Sequence, residues 1–429
     1  MKLRSGIKVQ FFASGRVMED GRREKDTEMK KPLCAIFLAA GIMLVLAACG
    51  NEAGTGPVVT EADNKDTVNI VTEGSSAAEE TEAPSEAPVV ETETKAAEET
   101  TEQNESSRVY TPEEYAAAGV NELNSVPILM YHRIYDMTND ETEYTGGNVD
   151  KDGYNRTYEA FENDLEMYYD SGYRCMRLTD YLDGEIDVPF GYSPIILTFD
   201  DGRQEAGIEG FDAEGNPIFA PHSALGILEA FKEKHPDFRT TATFFLNEAL
   251  FEEIPAYEDR VKVVQWLVDH GYDVGNHTLD HPQLSDCTAE EITRQVGGMY
   301  RILEDTIPGK YVNIVALPYG DPTDMKADAK YENIMHGEYE GFPYETKGAL
   351  LCGCTRQCSP FTTDWDPTHI RRIRGYDNHG EEFDIEMCFA QLNEGKRYIS
   401  DGNPDTVVIR AEEEEGWLGD TGGREVIRY

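Results

Sequence analysis

The stretch SPIILTFDDG, residues 193–202, decides the fold. Ile195, Ile196, Leu197 and Phe199 follow one another without the polar alternation of a half-exposed strand, and Asp200, Asp201 and Gly202 end the run. A short segment that is apolar on both faces suits a strand of a parallel sheet covered on both sides. Comparable runs are VPILMYHRI (126–134), TTATFFLN (240–247), GYDVGNHT (271–278), VNIVALPYG (312–320) and GALLCGCT (348–355). Between them the spacing predicts helices. One covers 158–171, with Phe161, Leu165 and Tyr168 on a stripe and Gly172 at its stop; another covers 259–270, with Val261, Val264, Leu267 and Val268 together. Thr288 followed by Glu291 is a capping box that opens a third. The alternation argues for an α/β architecture, and periodicity alone leaves an open sheet and a barrel equally available.

The ends of these runs carry the chemistry. Asp200 and Asp201 are adjacent carboxylates at the end of a buried strand, where their repulsion and desolvation call for a neutralising charge. A lone pair of acids is more simply read as solvated. His277 and His281 shift that balance, because the HxxxH pair in NHTLDH also follows an apolar run, and imidazoles four residues apart converge on one ion if the segment is helical. A carboxylate with two imidazoles leaves positions open for water, the catalytic type of zinc site. Leu317-Pro318-Tyr319-Gly320 ends a further run. Three strand ends with polar or turn chemistry suit the shared mouth of a barrel.

The chain has 429 residues and a formal charge of −45, which excludes nucleic acid as a partner and disfavours adhesion to anionic headgroups. At its N-terminal side, PLCAIFLAAGIMLVLAA (32–48) follows Lys30 and Lys31 and is too short for a good membrane span; it reads as a secretory signal. Residues 1–28 are atypical ahead of such a signal, so translation is expected to start at Met29, with 29–48 as the signal. Residues 50–107 contain no Phe, Tyr or Trp and include AAEETEAPSEAPVVETETKAAEETTEQ (77–103), so 49–107 reads as a disordered acidic linker ahead of a folded region, 108–429. Leu46-Ala47-Ala48-Cys49 resembles the bacterial lipobox. That likeness implies lipidation of Cys49 and an exported protein anchored to the outer face of the bacterial cell membrane.

TFDDG (198–202), ATFF (242–245), HTLDH (277–281) and LPYG (317–320), in that order, resemble the polysaccharide deacetylase family (NodB-homology, carbohydrate esterase family 4) over roughly residues 126–402. The resemblance implies an irregular (β/α) barrel. It also implies metal-dependent hydrolysis of N-acetyl or O-acetyl groups on a polysaccharide, with one divalent ion, Zn²⁺ being the expected one. Asp200 would be the general base, Asp201, His277 and His281 the metal ligands, and the backbone N–H of Tyr319 a donor to the oxyanion. Two departures stand out. Ala316 occupies the place of an arginine that orients the base in many members, with Arg372 in HIRRI as a candidate substitute. The last apolar run, TVVIRAEEEEG (406–416), lacks the general-acid histidine of the family's last strand. First and last strands of a barrel are neighbours, so the arrangement resembles circularly permuted poly-N-acetylglucosamine deacetylases, with His132 of the YH strand as the acid.

Setting aside Cys34 and Cys49 leaves Cys175, Cys287, Cys352, Cys354, Cys358 and Cys388, read as free or disulfide-bonded rather than as a second metal cluster. Asp364-Trp365 matches a family motif fragment only fortuitously. The 23 tyrosines suit a glycan-facing groove and ordinary packing alike, and the segment 203–221 is long enough to wall a substrate cleft. The alternative to an enzyme is a glycan-binding module that keeps the metal-site shape with little turnover, a reading that Ala316 favours.

Overall fold

The computed structural model describes residues 108–137, 146–353 and 355–429. The extension, signal, Cys49 and acidic linker lie outside the described residues, as does Cys354.

Eight short strands form one parallel sheet: β1 (Ile128–Tyr131), β2 (Tyr173–Cys175), β3 (Ser193–Asp201), β4 (Thr243–Leu246), β5 (Asp273–Asn276), β6 (Ile314–Ala316), β7 (Gly348–Leu350) and β8 (Ile373–Arg374). Their order is β7-β6-β5-β4-β3-β1-β8, with β2 alongside the first half of β3. The two ends of this path meet at a parallel bridge between Leu350 and Ile370, where Leu351 N–H donates to Ile370 O at 2.8 Å. The sheet is therefore curled into the irregular barrel-like form expected for the (β/α) class.

Alternation along β3 sorts its side chains. Ile195, Leu197 and Phe199 join the core under the helices, with Phe161, Leu165 and Leu228, while Ile196 joins Ile128, Phe245, Ala316 and Leu350 in the second core. Both sets are buried, which is why the sequence shows no polar alternation. The next residue on the side of Ile196 and Thr198 is Asp200, itself fully buried.

Helices α1 (Tyr158–Asp170), α2 (Ala224–Lys234), α3 (Tyr257–Asp269) and α4 (Ala289–Thr306) cover the sheet. The α4 capping box forms as expected, with Thr288 Oγ1 accepting from Glu291 N–H and the Glu291 carboxylate accepting from Thr288 N–H. The segment 203–221 folds as a 3₁₀ turn and a two-stranded hairpin, Ile208–Phe211 with Pro217–Phe219. The TVVI run pairs in parallel with Glu425–Arg428, away from the main sheet. β1 instead lies beside β3, and His132 follows its last residue.

A buried ion-pair network ties β1 to α1. Arg156 donates to both carboxylate oxygens of Asp164, at 3.1 and 2.6 Å, and to Asp377 at 2.8 Å. Tyr131 donates its hydroxyl proton to Asp164 at 2.9 Å. Removing one partner of such a pair leaves the other charge buried without compensation, at a cost of about 3–5 kcal/mol. Asp164→Ala is expected to lower the free energy of unfolding in urea by an amount of that order. A loss below about 1 kcal/mol would show that the network is not a brace for β1.

Candidate metal centre and active site

Four strand ends place the reactive groups. Asp201 closes β3 with φ at 84°, a left-handed conformation, and lines the same cavity as Asp200. His277 follows β5. His281 arrives by a turn rather than the helix that the HxxxH spacing suggested: Thr278 and His281 have φ of 66° and 55°. The physical reason is a set of side-chain bonds that compete with helix formation. Asn276 Oδ1 accepts from Thr278 N–H at 2.8 Å, Asn247 Nδ2 donates to the carbonyls of His277 and Thr278 at 2.6 and 3.0 Å, and Thr278 Oγ1 accepts from His281 N–H at 3.2 Å.

The Nε2 atoms of His277 and His281 lie 3.3 and 3.6 Å from Asp201 Oδ1, and one ligand atom from each of these residues falls within 4.8 Å of the other two. His277 Nδ1 donates to the carbonyl of Ala316 at 2.8 Å, which leaves its Nε2 lone pair for the cluster. That nitrogen is buried and has no hydrogen-bond partner among the described residues. Acceptors crowded face to face in this way fit a divalent cation. Electrostatics agrees. Burial pulls the His277 imidazole pKa down, but the Asp200 and Asp201 charges outweigh it and raise the value; burial pushes Asp201 up, but the adjacent His277 outweighs it and holds the carboxyl well below its usual range. At His281, burial and the neighbouring His277 lower the imidazole pKa.

Asp200 is kept apart from this cluster by Arg372. The guanidinium is fully buried and donates to both oxygens of Asp200, at 2.8 and 2.6 Å, to Thr198 Oγ1 at 3.1 Å and to the Leu351 carbonyl at 2.9 Å. Burial raises the Asp200 pKa, but the Arg372 charge outweighs it, so the carboxyl stays below its usual value. Arg372, the candidate substitute for the arginine absent at Ala316, thus reaches Asp200 from the residue before β8.

Asp200, Asp201, His277, His281, Tyr319 and His132 all line one cavity of about 370 Å³. His132 Nδ1 is buried without a partner among the described residues; burial lowers its pKa, while Asp200 and Asp201 pull the other way. Tyr319, in the Pro318–Gly320 turn, has φ at 59° and an exposed ring set edge-on to His281 at 4.7 Å. Gly320 lets that turn approach the chain at Cys352, whose backbone nitrogen would lie 2.6 Å from an added Cβ. The remaining wall was not foreseen: Arg133, Tyr154, Asn155, Arg203 and Cys352. No motif marks them, although Arg203 opens the segment expected to wall the cleft. Burial pushes the Cys352 thiol up to about 11, so it is neutral at pH 7. Cys175, Cys287 and Cys358 are also free thiols. Trp365 packs edge-on against Tyr181, outside the cavity lining, in keeping with a fortuitous motif match.

Arg372→Met strands the buried Asp200 charge, and the unfolding free energy at pH 7 is expected to drop by about 3–5 kcal/mol, with Arg372→Lys losing less. Equal stability of the native chain and the Met variant in urea denaturation would contradict the bidentate pair.

Residues 188–334 match the family model described as Polysaccharide deacetylase. A chitooligosaccharide deacetylase of Sinorhizobium fredii is 32% identical over 146 residues, 34% of this chain and 55% of the relative. One of Rhizobium leguminosarum is 32% identical over 39% of this chain and 63% of its own. A peptidoglycan-N-acetylglucosamine deacetylase of Bacillus cereus is 28% identical over 37% and 49%. The chain thus spans about half to three-fifths of these relatives. Among solved structures, a Streptococcus pyogenes deacetylase in complex with acetate aligns with a TM-score of 0.41 at 17% identity, over 59% of this chain and 93% of that one. A Bacillus cereus polysaccharide deacetylase aligns at 0.42 and 18%, over 62% and 68%. The motifs TFDDG, HTLDH and LPYG all fall inside the matched stretch, so the similarity to polysaccharide deacetylases is carried by residues 188–334.

Proposed function

We propose that the chain is a metal-dependent hydrolase that removes acetyl groups, N-acetyl in the first instance, from an extracellular or cell-wall polysaccharide. The observation that carries this reading is a carboxylate held by Arg372 next to, and separate from, an Asp201–His277–His281 set suited to one divalent ion. When bound there, such an ion, Zn²⁺ by its donor set, supplies Lewis-acid polarisation and a water of lowered pKa.

The residues themselves do the rest. Asp200 accepts a proton from the attacking water, and its pairing with Arg372 keeps it ionised and off the ion. Attack on the acetyl carbon gives a tetrahedral oxyanion, to which the Tyr319 backbone N–H donates. The C–N bond then breaks with a proton passing from the His132 imidazolium to the leaving nitrogen, so that acetate and a free amine are the products. His132 just past β1, with β1 beside β3, supports the permuted-barrel reading. Export and lipid anchoring at Cys49 belong to the same proposal, as they fit a polymeric substrate outside the cell. The binding-module alternative rested on the arginine missing at Ala316, and the Arg372–Asp200 pair takes that support away.

Acetate release from N-acetylated chito-oligomers tests the activity. The native chain with Zn²⁺ is expected to release acetate, and Asp200→Asn or chelation to reduce the rate at least 100-fold, within the range typical of a general base; no release from any acetylated glycan would support the binder instead. His132→Ala is expected to retain the ion by metal analysis while kcat falls about 100-fold or more. Unchanged kinetics in that variant would remove His132 as the acid.

A further inference from the structure

We infer that Tyr154 is a saccharide-stacking residue that sets affinity for the sugar ring at the mouth of the catalytic cavity. The inference rests on the glycan reading above, and it concerns a residue outside the segment 188–334 that resembles known deacetylases.

Tyr154 lines the cavity and keeps 38% of its surface exposed. Its ring is fixed from several sides. It stands edge-to-face with His132, with centroids 5.2 Å apart at 78°, and the Arg374 guanidinium carbon is 5.0 Å from its centroid. The same guanidinium is 3.9 Å from the ring of Tyr376, so an aromatic–cation–aromatic ladder backs Tyr154.

The loop that carries the ring is built around one acid. Asp150 Oδ1 accepts from the N–H groups of Asp152 and Tyr154 at 3.0 and 3.3 Å, and Oδ2 accepts from Asn155 N–H and Nδ2 at 2.9 and 2.7 Å. Asn155 Oδ1 in turn accepts from Arg133 N–H at 3.3 Å. Gly153, at φ +67°, presses on Tyr376, where an added Cβ would lie 2.3 Å from Cδ2. A loop pinned at this many points holds an aromatic ring in partial contact with water, and the exposed part adds nothing to the stability of the folded chain.

A binding surface explains that arrangement. Apart from the Tyr319 ring and the Cys352 thiol, the rest of the cavity wall is carboxylate, imidazole, amide and guanidinium, suited to hydroxyl and acetamido groups, whereas a pyranose also presents a face of C–H groups. The negative face of an aromatic ring attracts that face, and Tyr is a rigid platform that loses little rotamer freedom on binding. The ligand class is therefore the pyranose ring of an acetamido sugar, held flat on Tyr154 while its acetyl group points at Asp200 and His277.

The test compares the full chain with Tyr154→Ala and Tyr154→Phe, using tetra-N-acetylated chito-oligomer. For Tyr154→Ala, KM is expected to rise about tenfold, with kcat changing less than about threefold; Tyr154→Phe restores the native KM, since the ring face and not the hydroxyl is what binds. Calorimetric titration of the same oligomer reads affinity without turnover, and the same tenfold weakening is expected there. If the native chain binds in this Tyr154-dependent way but releases no acetate, stacking stands and the deacetylase reading falls. A Tyr154→Ala chain that binds as the native chain does, absence of binding by either, or a loss confined to kcat would overturn the inference, the last because the ring would then act only by positioning His132.

Discussion

A carboxylate buried to the point of zero exposure beside two imidazoles and a second carboxylate is not stable on its own, and the Arg372 guanidinium is what makes Asp200 tolerable where it stands. The pair does more than cancel charge. Because both Asp200 oxygens are engaged by a planar fork that is also bonded to Thr198 and Leu351, the carboxylate is fixed in direction as well as ionised. Asp201, one residue on, faces the histidines, with Oδ1 3.3 and 3.6 Å from the Nε2 atoms of His277 and His281. Two adjacent acids thus receive different partners, a guanidinium for Asp200 and two imidazoles for Asp201.

Parallel pairing supplies the setting. Strands that run the same way bring their C-terminal ends to one rim, so residues as distant in sequence as His132, Asp201, His277, Tyr319 and Cys352 line one cavity. Curling of the sheet matters equally, since the Leu350–Ile370 bridge carries the chain to β8 and places Arg372 inside, against β3. In a flat sheet, the outermost strands β7 and β8 would be too far apart for Arg372 to bond at once to Leu351 and to Asp200.

Much of this was legible in the sequence, for reasons that can be named. Strands apolar on both faces announce a parallel sheet, and β3 was readable in full because its burial extends almost to the last residue. Strand lengths were less so: GYDVGNHT contributes only Asp273–Asn276 to the ladder, because its histidine end leaves the sheet to reach the cavity. The HxxxH spacing pointed to a helix, yet Asn276 and Thr278 bond the backbone into a turn with help from Asn247, which follows another strand and gives no local signal. In HIRRI the two arginines are indistinguishable by composition. Only the strand alternation, which leaves Arg371 exposed and Arg372 buried, decides which one meets Asp200. The Tyr154 wall had no local signal, because its position depends on Tyr376 and Arg374 more than 200 residues away.

The origin of the cavity wall bears on what can be inferred by likeness. Asp200, Asp201, His277, His281 and Tyr319 come from the segment that matches known deacetylases, whereas His132, Tyr154, Cys352 and the buried Arg372 come from outside it. The outer parts are not loosely attached: Tyr131, just before His132, is bonded to Asp164, and Arg156, just after the Tyr154 loop, is paired with both Asp164 and Asp377. One buried network therefore ties the β1 end and the chain just after the Tyr154 loop to α1 and to the segment that follows β8. On the proposed reading the hydrolytic chemistry draws on both sources, Asp200 and the Asp201–His277–His281 set from the matched segment and His132 and Arg372 from outside it, whereas the Tyr154 wall lies wholly outside.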